Sequence, residues 1–346
     1  MTERLWIVET PETYPYRNLA LEEYLLMSVP EKTQILYLWQ NRNTIVVGRN
    51  QDVFRECDME QVEEGGVRIA RRLSGGGAVF HDMGNLNFTF LCRKEDRDIG
   101  RNTDIVLSAL KKLGIIAERS GRNDILAGGA KISGNAFFET GGFCYHHGTL
   151  LVDTDKELIA RYLSVSKEKL RLKGVDSVKS RVTNLKDLNG DISVENMKAS
   201  LMEAFFEKYG IVPEFLSVEQ FPEREIEERT EKFSSRQWIY GKKIFCNRRK
   251  KERFDWGDVE ILLYVEDDMI SRAHIFSDAM DQDYILKIAE AMTGCRCDEE
   301  TIRKTLMEVN DGISLPDKGK GDRTEDMMKM MTGLIERQEA ADERQI

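Results

Sequence analysis

The segment from Arg71 to Asn85 reads RRLSGGGAVFHDMGN. Three adjacent glycines, Gly75 to Gly77, follow two arginines and precede the apolar run Ala78-Val79-Phe80. Glycine permits positive φ and leaves backbone N–H groups bare, so consecutive N–H groups can form a nest for an anion. The flanking arginines suit phosphate or carboxylate. A plain glycine-rich turn between strands is the alternative interpretation, since the segment matches neither GxxxxGK[ST] nor a helix-opening GxGxxG.

A second glycine-rich segment, GRNDILAGGAKISGNAF, runs from Gly121 to Phe137. Gly128-Gly129 predicts a β-hairpin, and Lys131 opens its second strand. Because side chains alternate along a strand, we expect Ser133 on the same face as Lys131. A lysine is usually a solvated surface residue, but one beside a tight hairpin and the Asn123-Asp124 pair is a candidate site residue.

A third segment, YHHGTLLVD, spans Tyr145 to Asp153. Neighbouring residues on a strand face opposite ways, so His146 and His147 are not expected to line one site or bind one metal together. One of them can point into a site, and a hydrogen-bonded structural histidine is the alternative. A fourth segment, Lys169 to Leu185, is basic and reads as a loop. It either covers an anionic ligand or is an ordinary basic surface segment.

Composition narrows the class of protein. The chain has 346 residues, of which 41% are hydrophobic and 32% charged, which is typical of a globular protein of two or three domains. The formal net charge of −10 argues against a general nucleic-acid binder. Six scattered cysteines do not suggest a disulfide framework, and no apolar stretch is long enough for a membrane span or a signal peptide. We therefore expect a cytoplasmic protein with reduced thiols and no membrane partner.

The order of predicted elements favours a mixed-sheet α+β domain, because strands and helices do not alternate strictly. Within it, we expect a helix from Asn18, as its N-cap, to Met27. The charge run Asn247 to Arg253 has no apolar period and is interpreted as a solvated linker, with a patch at Arg248 to Lys251 that steers acidic partners as the alternative. The predicted domains are residues 1–246 and a small α+β accessory domain, residues 247–346.

Together these segments resemble the lipoate–protein ligase A family. The matching stretches are RRLSGGGAVFHDMGN, GRNDILAGGAKISGNAF, HHGTLL and KGVDSVKSRVTNL, and the upstream LWQNRNTIVVGRNQ is similar to the family's early strand pair. Order and spacing agree from about Leu5 to Leu185. The later SSRQWIYGK and ERFDWGDVEI resemble the junction with the accessory domain of two-domain ligases. The resemblance implies the fold shared by biotin and lipoate–protein ligases.

The resemblance also implies a reaction. Lipoate and ATP would give lipoyl-AMP and pyrophosphate, and the lipoyl group would pass to a lysine of an acceptor domain. Expected acceptors are the lipoyl domains of 2-oxoacid dehydrogenase E2 subunits and the glycine cleavage H protein. ATP and Mg²⁺ are the implied cofactors, since the leaving pyrophosphate needs a hard cation. No set of metal ligands is assigned, Asp124 is the candidate ligand, and the chain is expected to act as a monomer.

Site residues follow from the same resemblance. Lys131 is the expected catalytic residue, contacting the lipoyl carboxylate and the α-phosphate. The glycines would run along the lipoyl-adenylate, where a Cβ would collide with it. Either Asp124 or His147 would receive the proton of the acceptor lysine. The complete set of expected binding residues is Trp39, Arg72, Ser74, Gly75, Gly76, Gly77, Ala78, Val79, Phe80, His81, Asn123, Asp124, Lys131, Ser133, His147 and Thr149.

Three alternatives remain open at the level of sequence. A lipoyltransferase that uses preformed lipoyl-AMP would carry the same motifs. An octanoyl or lipoyl amidotransferase would use a cysteine thioester, for which Cys144 is the nearest candidate. A non-catalytic protein that holds lipoyl cargo would not need Lys131.

Overall fold

The computed structural model describes residues 2–121, 123–164, 182–242, 244–311, 320–335 and 342–344. They belong to two compact units. The first comprises Met1–Val46, Arg55–Arg72 and Ala78–Ile239, and the second Val47–Phe54, Leu73–Gly77 and Tyr240–Ile346. Residues 169–181, predicted as a basic loop, lie outside the described ranges. No helix within those ranges is long and apolar enough to cross a membrane.

An eight-stranded mixed sheet forms the first unit, in the order β11-β1-β2-β6-β10-β9-β8-β7. β1 pairs in parallel with β2 and β11, and the other neighbours are antiparallel. This arrangement confirms the predicted mixed-sheet α+β class. The strands are β1 (Arg4–Glu9), β2 (Thr33–Trp39), β6 (Asn85–Arg93), β7 (Ala117–Ser120), β8 (Asp124–Ala127), β9 (Ala130–Thr140), β10 (Phe143–Leu151) and β11 (Glu214–Leu216).

A smaller sheet in the order β4-β3-β5 carries the second half of the glycine segment. Its strands are β3 (Thr44–Val47), β4 (Arg68–Arg71) and β5 (Val79–His81). Short elements accompany it, namely the helices α2 (Val53–Glu56) and α3 (Met59–Glu64) and the 3-10 turn Lys94–Asp96. Direct pairing of Thr44 with His81 places the end of β5 beside the start of β3.

Helices cover both faces of the large sheet. One face packs on α4 (Ile99–Lys112) and α7 (Val194–Tyr209), and the shared core includes Phe88, Val106 and Leu201. A capping box at Ser193 begins α7, and Gly210 ends it in the left-handed conformation. The opposite face lies against α1 (Pro15–Ser28), which in turn packs on α8 (Glu223–Ser234). The remaining helices are α5 (Lys156–Tyr162), α6 (Leu185–Leu188) and α9 (Arg236–Tyr240) and the 3-10 turn Val218–Gln220.

The prediction that Asn18 caps the first helix is wrong. α1 begins at Pro15, which the first turn tolerates because that position needs no N–H donor. Asn18 therefore lies inside the helix, where its backbone N–H donates to the Tyr14 carbonyl at 3.1 Å. Its side chain is fully buried and points to the interior, so its polarity reflects a tertiary contact rather than a helix end.

The second unit contains a three-stranded antiparallel sheet, β13 (Arg248–Phe254), β14 (Gly257–Glu266) and β15 (Met269–Ser277). Its core joins this sheet to three helices through apolar residues such as Ile261, Tyr284 and Met331. The helices are α10 (Gln282–Met292), α11 (Glu299–Asp311) and α12 (Lys320–Ile335), and a strand pair joins β12 (Ile244–Cys246) to β16 (Asp342–Arg344).

The interpretation of Asn247 to Arg253 as a linker is wrong, because Arg248–Phe254 is a strand paired with β14. Every second residue at its start, Arg248 and Lys250, uses its charged group to bind backbone carbonyls of α12. Arg248 donates to the carbonyls of Leu334 and Ile335, and Lys250 to that of Lys329. These hydrogen bonds give the charged heads backbone acceptors while their aliphatic stems pack, so a charged sequence can form a partly buried strand.

Candidate active site

One row of directly paired residues crosses the α1-facing side of the large sheet. Trp39 lies opposite Asn87, and Asn87 opposite Thr149. Asp124 lies opposite Gly134, whose backbone N–H donates to Thr149 Oγ1 at 3.3 Å. Directly paired residues share a face, so the structure places the predicted site residues Trp39, Thr149 and Asp124 in one row on the same face of the sheet.

Lys131 lies over this row. Its Nζ is 2.7 Å from Asp124 Oδ1, and the two side chains are 34% and 35% exposed. A Cβ built on Gly134 would lie 3.0 Å from the same Nζ. The missing side chain at Gly134 thus provides the room in which the Lys131 ammonium sits. A half-buried ammonium held beside a carboxylate remains partly open to a ligand.

A β-bulge determines which way Lys131 points. The register between β8 and β9 shifts between Ile125 and Leu126, so that Lys131 pairs with Leu126 but Ser133 with Ile125. The extra residue, Ile132, breaks the alternation of side chains. The prediction that Lys131 and Ser133 share a face is therefore wrong.

Ser133 belongs to the helix-packed core side of the sheet. Its hydroxyl is fully buried and lies 3.3 Å from Asn135 Nδ2. Asn135 also exchanges hydrogen bonds with Asn123, whose Nδ2 donates to the Asn135 carbonyl at 2.8 Å. Asn123 and Ser133 thus support the hairpin, while Asp124 and Lys131 reach the site face.

The two adjacent histidines face opposite sides, as predicted. His146 packs among Phe88, Phe90 and Phe137, and its Nε2 lies 2.9 Å from Asn135 Oδ1. Burial lowers the pKa of His146 to about 3. The structure therefore makes His146 the hydrogen-bonded structural histidine of the pair.

His147 lies on the site face and meets α1. Its Nδ1 is 2.9 Å from Glu22 Oε1, which also accepts a hydrogen bond from Thr89 Oγ1 at 2.7 Å. Thr89 in turn accepts from Trp39 Nε1 at 3.1 Å. A buried polar network therefore joins two predicted site residues, Trp39 and His147, through Glu22 and Thr89, which sequence reasoning missed.

The sequence of β6 contains a pattern that could have indicated Thr89, one of the two missed residues. In NLNFTFLC, polar Asn85, Asn87 and Thr89 alternate with Leu86 and Phe88, and the strand is buried from Asn85 to Cys92. Buried polar positions with a period of two mark a polar face opposite an apolar one. Glu22 on α1 had no such signal, because a single acidic residue on a helix normally faces solvent.

Arg72 and His81 are buried polar residues of the first unit. Burial lowers the pKa of Arg72 to about 10, so it stays cationic at neutral pH, and its Nη1 donates to the Val46 carbonyl at 3.1 Å. Burial, with the charge of Arg72 as the next cause, lowers the pKa of His81 to about 3. A fixed cation beside a neutral imidazole suits an anionic ligand.

Two further residues of the glycine segment, Phe80 and Arg71, are held by packing and by hydrogen bonds within the first unit. Phe80 is buried and its ring centroid lies 5.4 Å from that of Tyr162, whereas Ala78 and Val79 are half-buried. Arg71 donates to the Ile239 carbonyl, and Trp238 Nε1 donates to the Arg71 carbonyl. The first arginine of the pair is thus structural.

The glycine loop belongs to the second unit. Gly75 N–H lies 3.3 Å from Gln282 Oε1, and Gly76 N–H donates to the Ala279 carbonyl at 3.1 Å. The Ser74 carbonyl accepts from the Arg49 N–H at 2.9 Å. The anion nest predicted for these glycines therefore has protein acceptors on two of its amides.

Steric demand differs along the loop. A Cβ on Gly75 would lie 2.3 Å from the Ala279 carbonyl oxygen, and Gly76 has a φ of 89°. On Gly77, by contrast, a Cβ would meet nothing within 4 Å. Chain packing and backbone conformation thus account for two of the three glycines, and a close ligand stays the prediction for the third.

Within the described ranges, no group of three or more His, Cys, Asp or Glu side chains could hold a metal ion. Asp124 is the predicted site carboxylate on this face, and its Oδ1 is engaged by Lys131.

Comparison with solved structures gives close matches. Plasmodium falciparum LipL1, solved in complex with lipoate, is 27% identical with a TM-score of 0.80, covering 94% of this chain and 98% of that one. A bipartite lipoate protein ligase of Thermoplasma acidophilum, solved in a study with its E2 lipoyl domain, is 29% identical with a TM-score of 0.61, covering 70% and 97%. A lipoate-protein ligase A bound with ATP is 28% identical with a TM-score of 0.60, covering 70% and 99%.

Two family models match the sequence itself. The bacterial lipoate protein ligase C-terminus matches residues 244–328. The lipoyl protein ligase A/B catalytic domain matches residues 14–206, which is more than half of the chain and contains β2, β6 and β8 to β10 with their site residues. The chain therefore belongs to the family of lipoyl protein ligase A/B catalytic domains.

Proposed function

We propose that the protein is an ATP-dependent lipoate–protein ligase, which converts lipoate and ATP to lipoyl-AMP and pyrophosphate and transfers the lipoyl group to a lysine of an acceptor domain. The observation that carries the proposal is the Lys131 ammonium, held by Asp124 in the space left by Gly134. The lipoate in LipL1 and the ATP in the lipoate-protein ligase A structure support the choice of the two substrates.

The first step forms a bond between a lipoate carboxylate oxygen and the α-phosphorus, while the bond from that phosphorus to the pyrophosphate oxygen breaks. Negative charge gathers on the reacting oxygens, so a positioned cation stabilises the transition state. Lys131 supplies that cation in the proposal. Its ion pair with Asp124 limits the rotamers of a long side chain, which reduces the entropy lost when substrate binds.

In the second step, the amine of the acceptor lysine attacks the acyl carbon and AMP leaves with the electrons of the broken anhydride bond. That amine is protonated at neutral pH, with an ordinary pKa of about 10.4, and must lose a proton. Asp124 and His147 lie on the site face and are the proposed proton acceptors. Lys131 then polarises the acyl carbonyl by the same charge effect.

Magnesium is part of the proposal as a companion of ATP. Mg²⁺ in nucleotide enzymes is held by one or two carboxylates together with phosphate oxygens, so the single carboxylate of Asp124 fits that donor set. When bound, the ion would neutralise charge on the departing pyrophosphate. Asp124 would then be the carboxylate of the site face that holds the ion.

The proposed acceptors are lipoyl domains of E2 subunits and the H protein. The relative from Thermoplasma acidophilum was studied with its E2 lipoyl domain, which supports the first class. Arg249 and Lys251 lie on the exposed positions of β13, while Arg248 and Lys250 bind carbonyls of α12. If this strand steers an acidic acceptor domain, Lys251→Glu should raise the KM for that domain.

Pyrophosphate release in the presence of ATP and free lipoate is the measurement that tests the proposal, followed by the mass gain of a purified lipoyl domain. Both signals are expected from the wild-type protein, and Lys131→Met should lose both. Lys156→Met is the matched control, since Lys156 pairs with Asp187 at 2.8 Å away from the site row. Transfer from supplied lipoyl-AMP without pyrophosphate release would instead identify a lipoyltransferase.

A cysteine thioester is the other mechanism to be tested. Cys144 is buried. It lies two residues before His146 in β10, so its side chain points to the same face as His146 and away from His147 and the site row. Its Sγ lies 3.5 Å from Cys92 Sγ on the neighbouring strand. We expect Cys144→Ser to keep full transfer activity, and loss of transfer in that variant would favour the amidotransferase.

A further inference from the structure

A chain of buried hydrogen bonds leads from the middle of α1 to the imidazole of His81. Tyr37 OH donates to Asn18 Oδ1 at 3.2 Å, and Asn18 Nδ2 lies 2.9 Å from Asn41 Oδ1. Asn41 Nδ2 in turn lies 3.1 Å from His81 Nδ1. All four side chains are at most 3% exposed, so water does not compete for these contacts.

Two backbone carbonyls determine the direction of this chain. Asn18 Nδ2 lies 3.1 Å from the Glu12 carbonyl and 2.9 Å from that of Gln40, and a carbonyl can only accept. The amide nitrogen of Asn18 must therefore face them, which leaves its Oδ1 for the Tyr37 hydroxyl. Burial raises the pKa of Tyr37 well above its ordinary value, so that hydroxyl keeps its proton to donate.

The orientation then passes from one amide to the next. Because the Asn18 amide nitrogen faces Asn41 and cannot accept a hydrogen bond, the atom of Asn41 that faces Asn18 is its oxygen, and its nitrogen must face His81. An amide nitrogen only donates, so His81 Nδ1 accepts and carries no proton. The proton of the neutral ring is on Nε2.

That Nε2–H is buried and has no hydrogen-bond partner among the described residues. A buried donor without an acceptor costs free energy, and the cost is recovered when a ligand supplies the acceptor. Burial and the nearby charge of Arg72 keep the ring neutral, so His81 presents one N–H rather than a second cation. Its position in β5, directly after Ala78, Val79 and Phe80, belongs to the segment expected to meet the ligand.

We propose that Asn41 is a positioning residue that locks His81 in its Nε2–H tautomer, and that this N–H is a dedicated donor to an acyl or phosphoryl oxygen of the bound substrate. The identity of that substrate rests on the proposed function, whereas the tautomer rests on the hydrogen-bond chain alone. A tautomer fixed before binding needs no proton movement when the ligand arrives, which is the advantage of a preorganised donor.

The tautomer can be measured in the wild-type protein without ligand. With ¹⁵N-labelled histidine, two-bond proton–nitrogen correlation spectra distinguish a protonated Nε2 from a protonated Nδ1. The chain has four histidines, so the variant His81→Gln assigns the signal. We expect a proton on Nε2 of His81 at pH 7 and at pH 5. A proton on Nδ1, or on both nitrogens, would overturn the proposal whatever the enzyme does.

Ligand titrations identify the acceptor oxygen. Addition of lipoate alone should shift the His81 Nε2–H signal if the acceptor is the carboxylate, and addition of ATP alone should shift it if the acceptor is a phosphoryl oxygen. If calorimetry shows that both ligands bind and neither shifts the His81 Nε2–H signal, the donor role is refuted. If neither ligand binds, the proposed function fails and the tautomer result still stands.

Kinetics of Asn41 variants test the positioning role. Asn41→Asp offers a carboxylate to Nδ1, so it should move the proton to Nδ1 and lower kcat/KM for pyrophosphate release by about tenfold to a hundredfold. His81→Gln, which keeps an amide N–H near the Nε2 position, should retain more activity than His81→Ala. Asn189→Asp is the control, because Asn189 binds the Leu113 carbonyl at 3.0 Å, outside the hydrogen-bond chain. Equal activity of Asn41→Asp and the control would exclude the positioning role.

Discussion

Glu22 and His147 contact each other across the boundary between helix α1 and the large sheet, with 2.9 Å between Glu22 Oε1 and His147 Nδ1. The Glu22 side chain is 1% exposed and accepts a second hydrogen bond from Thr89. A carboxylate in such a place is stable only with its donors, and the donors depend equally on it. The pair therefore joins the packing of α1 to the orientation of a predicted site residue.

Removal of the Glu22 carboxylate should destabilise the fold and disorient His147. We expect Glu22→Ala to lower the free energy of unfolding by about 1–3 kcal/mol, because two buried donors lose their acceptor. Glu22→Gln keeps one amide oxygen and should lose less. Urea denaturation measures both, with Glu31→Ala, an exposed position, as the control. If Glu22→Ala is no less stable than Glu31→Ala, the buried network contributes nothing to the free energy of unfolding.

Gly134→Ala should separate activity from stability. The new Cβ would meet Lys131 Nζ at 3.0 Å and Cε at 3.1 Å, and these atoms are the far end of a flexible side chain that can move away. The fold should therefore tolerate the change, while the ammonium is displaced from its place beside Asp124. We expect kcat for pyrophosphate release to fall about tenfold or more, with little change in melting temperature.

Gly190→Ala is the matched control for this substitution, since a Cβ there meets nothing within 4 Å. It should change neither kcat nor the melting temperature. Unchanged kcat in Gly134→Ala, with the alanine verified by mass spectrometry, would show that the observed position of the Lys131 ammonium is not required for the reaction.

Local sequence rules predicted the elements that depend on neighbouring residues. Gly128 and Gly129 both have positive φ, at 58° and 80°, as the predicted hairpin between β8 and β9 requires. The opposite directions of His146 and His147 follow from strand geometry alone. In each case a rule with a period of two, or a conformational demand on glycine, acts within a few residues.

The features that sequence missed depend on distant contacts. The bulge at Ile132 reverses the face of Lys131, and nothing in AKISG marks an extra residue, because the bulge is defined by the partner strand β8. Asn18 has the composition of a helix cap, but its partners Tyr37 and Asn41 lie on other elements. The cations of β13 resemble a linker until α12 supplies the carbonyls that bind them.

Substitutions in the glycine loop can distinguish protein packing from ligand contact. Gly75→Ala places a Cβ 2.3 Å from the backbone oxygen of Ala279, which cannot move without shifting the chain, so we expect a lower melting temperature. Gly77→Ala places a Cβ in open space and should leave the melting temperature unchanged. If the acyl-adenylate lies along this residue, Gly77→Ala should still raise the KM for lipoate or ATP.

Both melting temperature and the two KM values should be measured for each variant. Gly77→Ala with wild-type stability and wild-type KM values would remove the ligand contact from the proposal. Gly75→Ala with wild-type stability would show instead that the contact of Gly75 with Ala279 is not maintained in solution.

Acid should destabilise the fold through its buried neutral histidines, and His146 offers a clean test. Burial lowers its pKa to about 3, from an ordinary value of 6.5. Between these values the unfolded state binds a proton and the folded state does not, so lowering the pH favours unfolding. From pH 7 to pH 5 we expect the free energy of unfolding to fall by about 2 kcal/mol more in the wild type than in His146→Gln, which cannot titrate.

The glutamine of this variant also keeps an N–H donor for Asn135 Oδ1. Since all other titrating groups are common to both proteins, their effects cancel in the difference between urea unfolding curves at the two pH values. Equal losses would mean that His146 takes up its proton without unfolding.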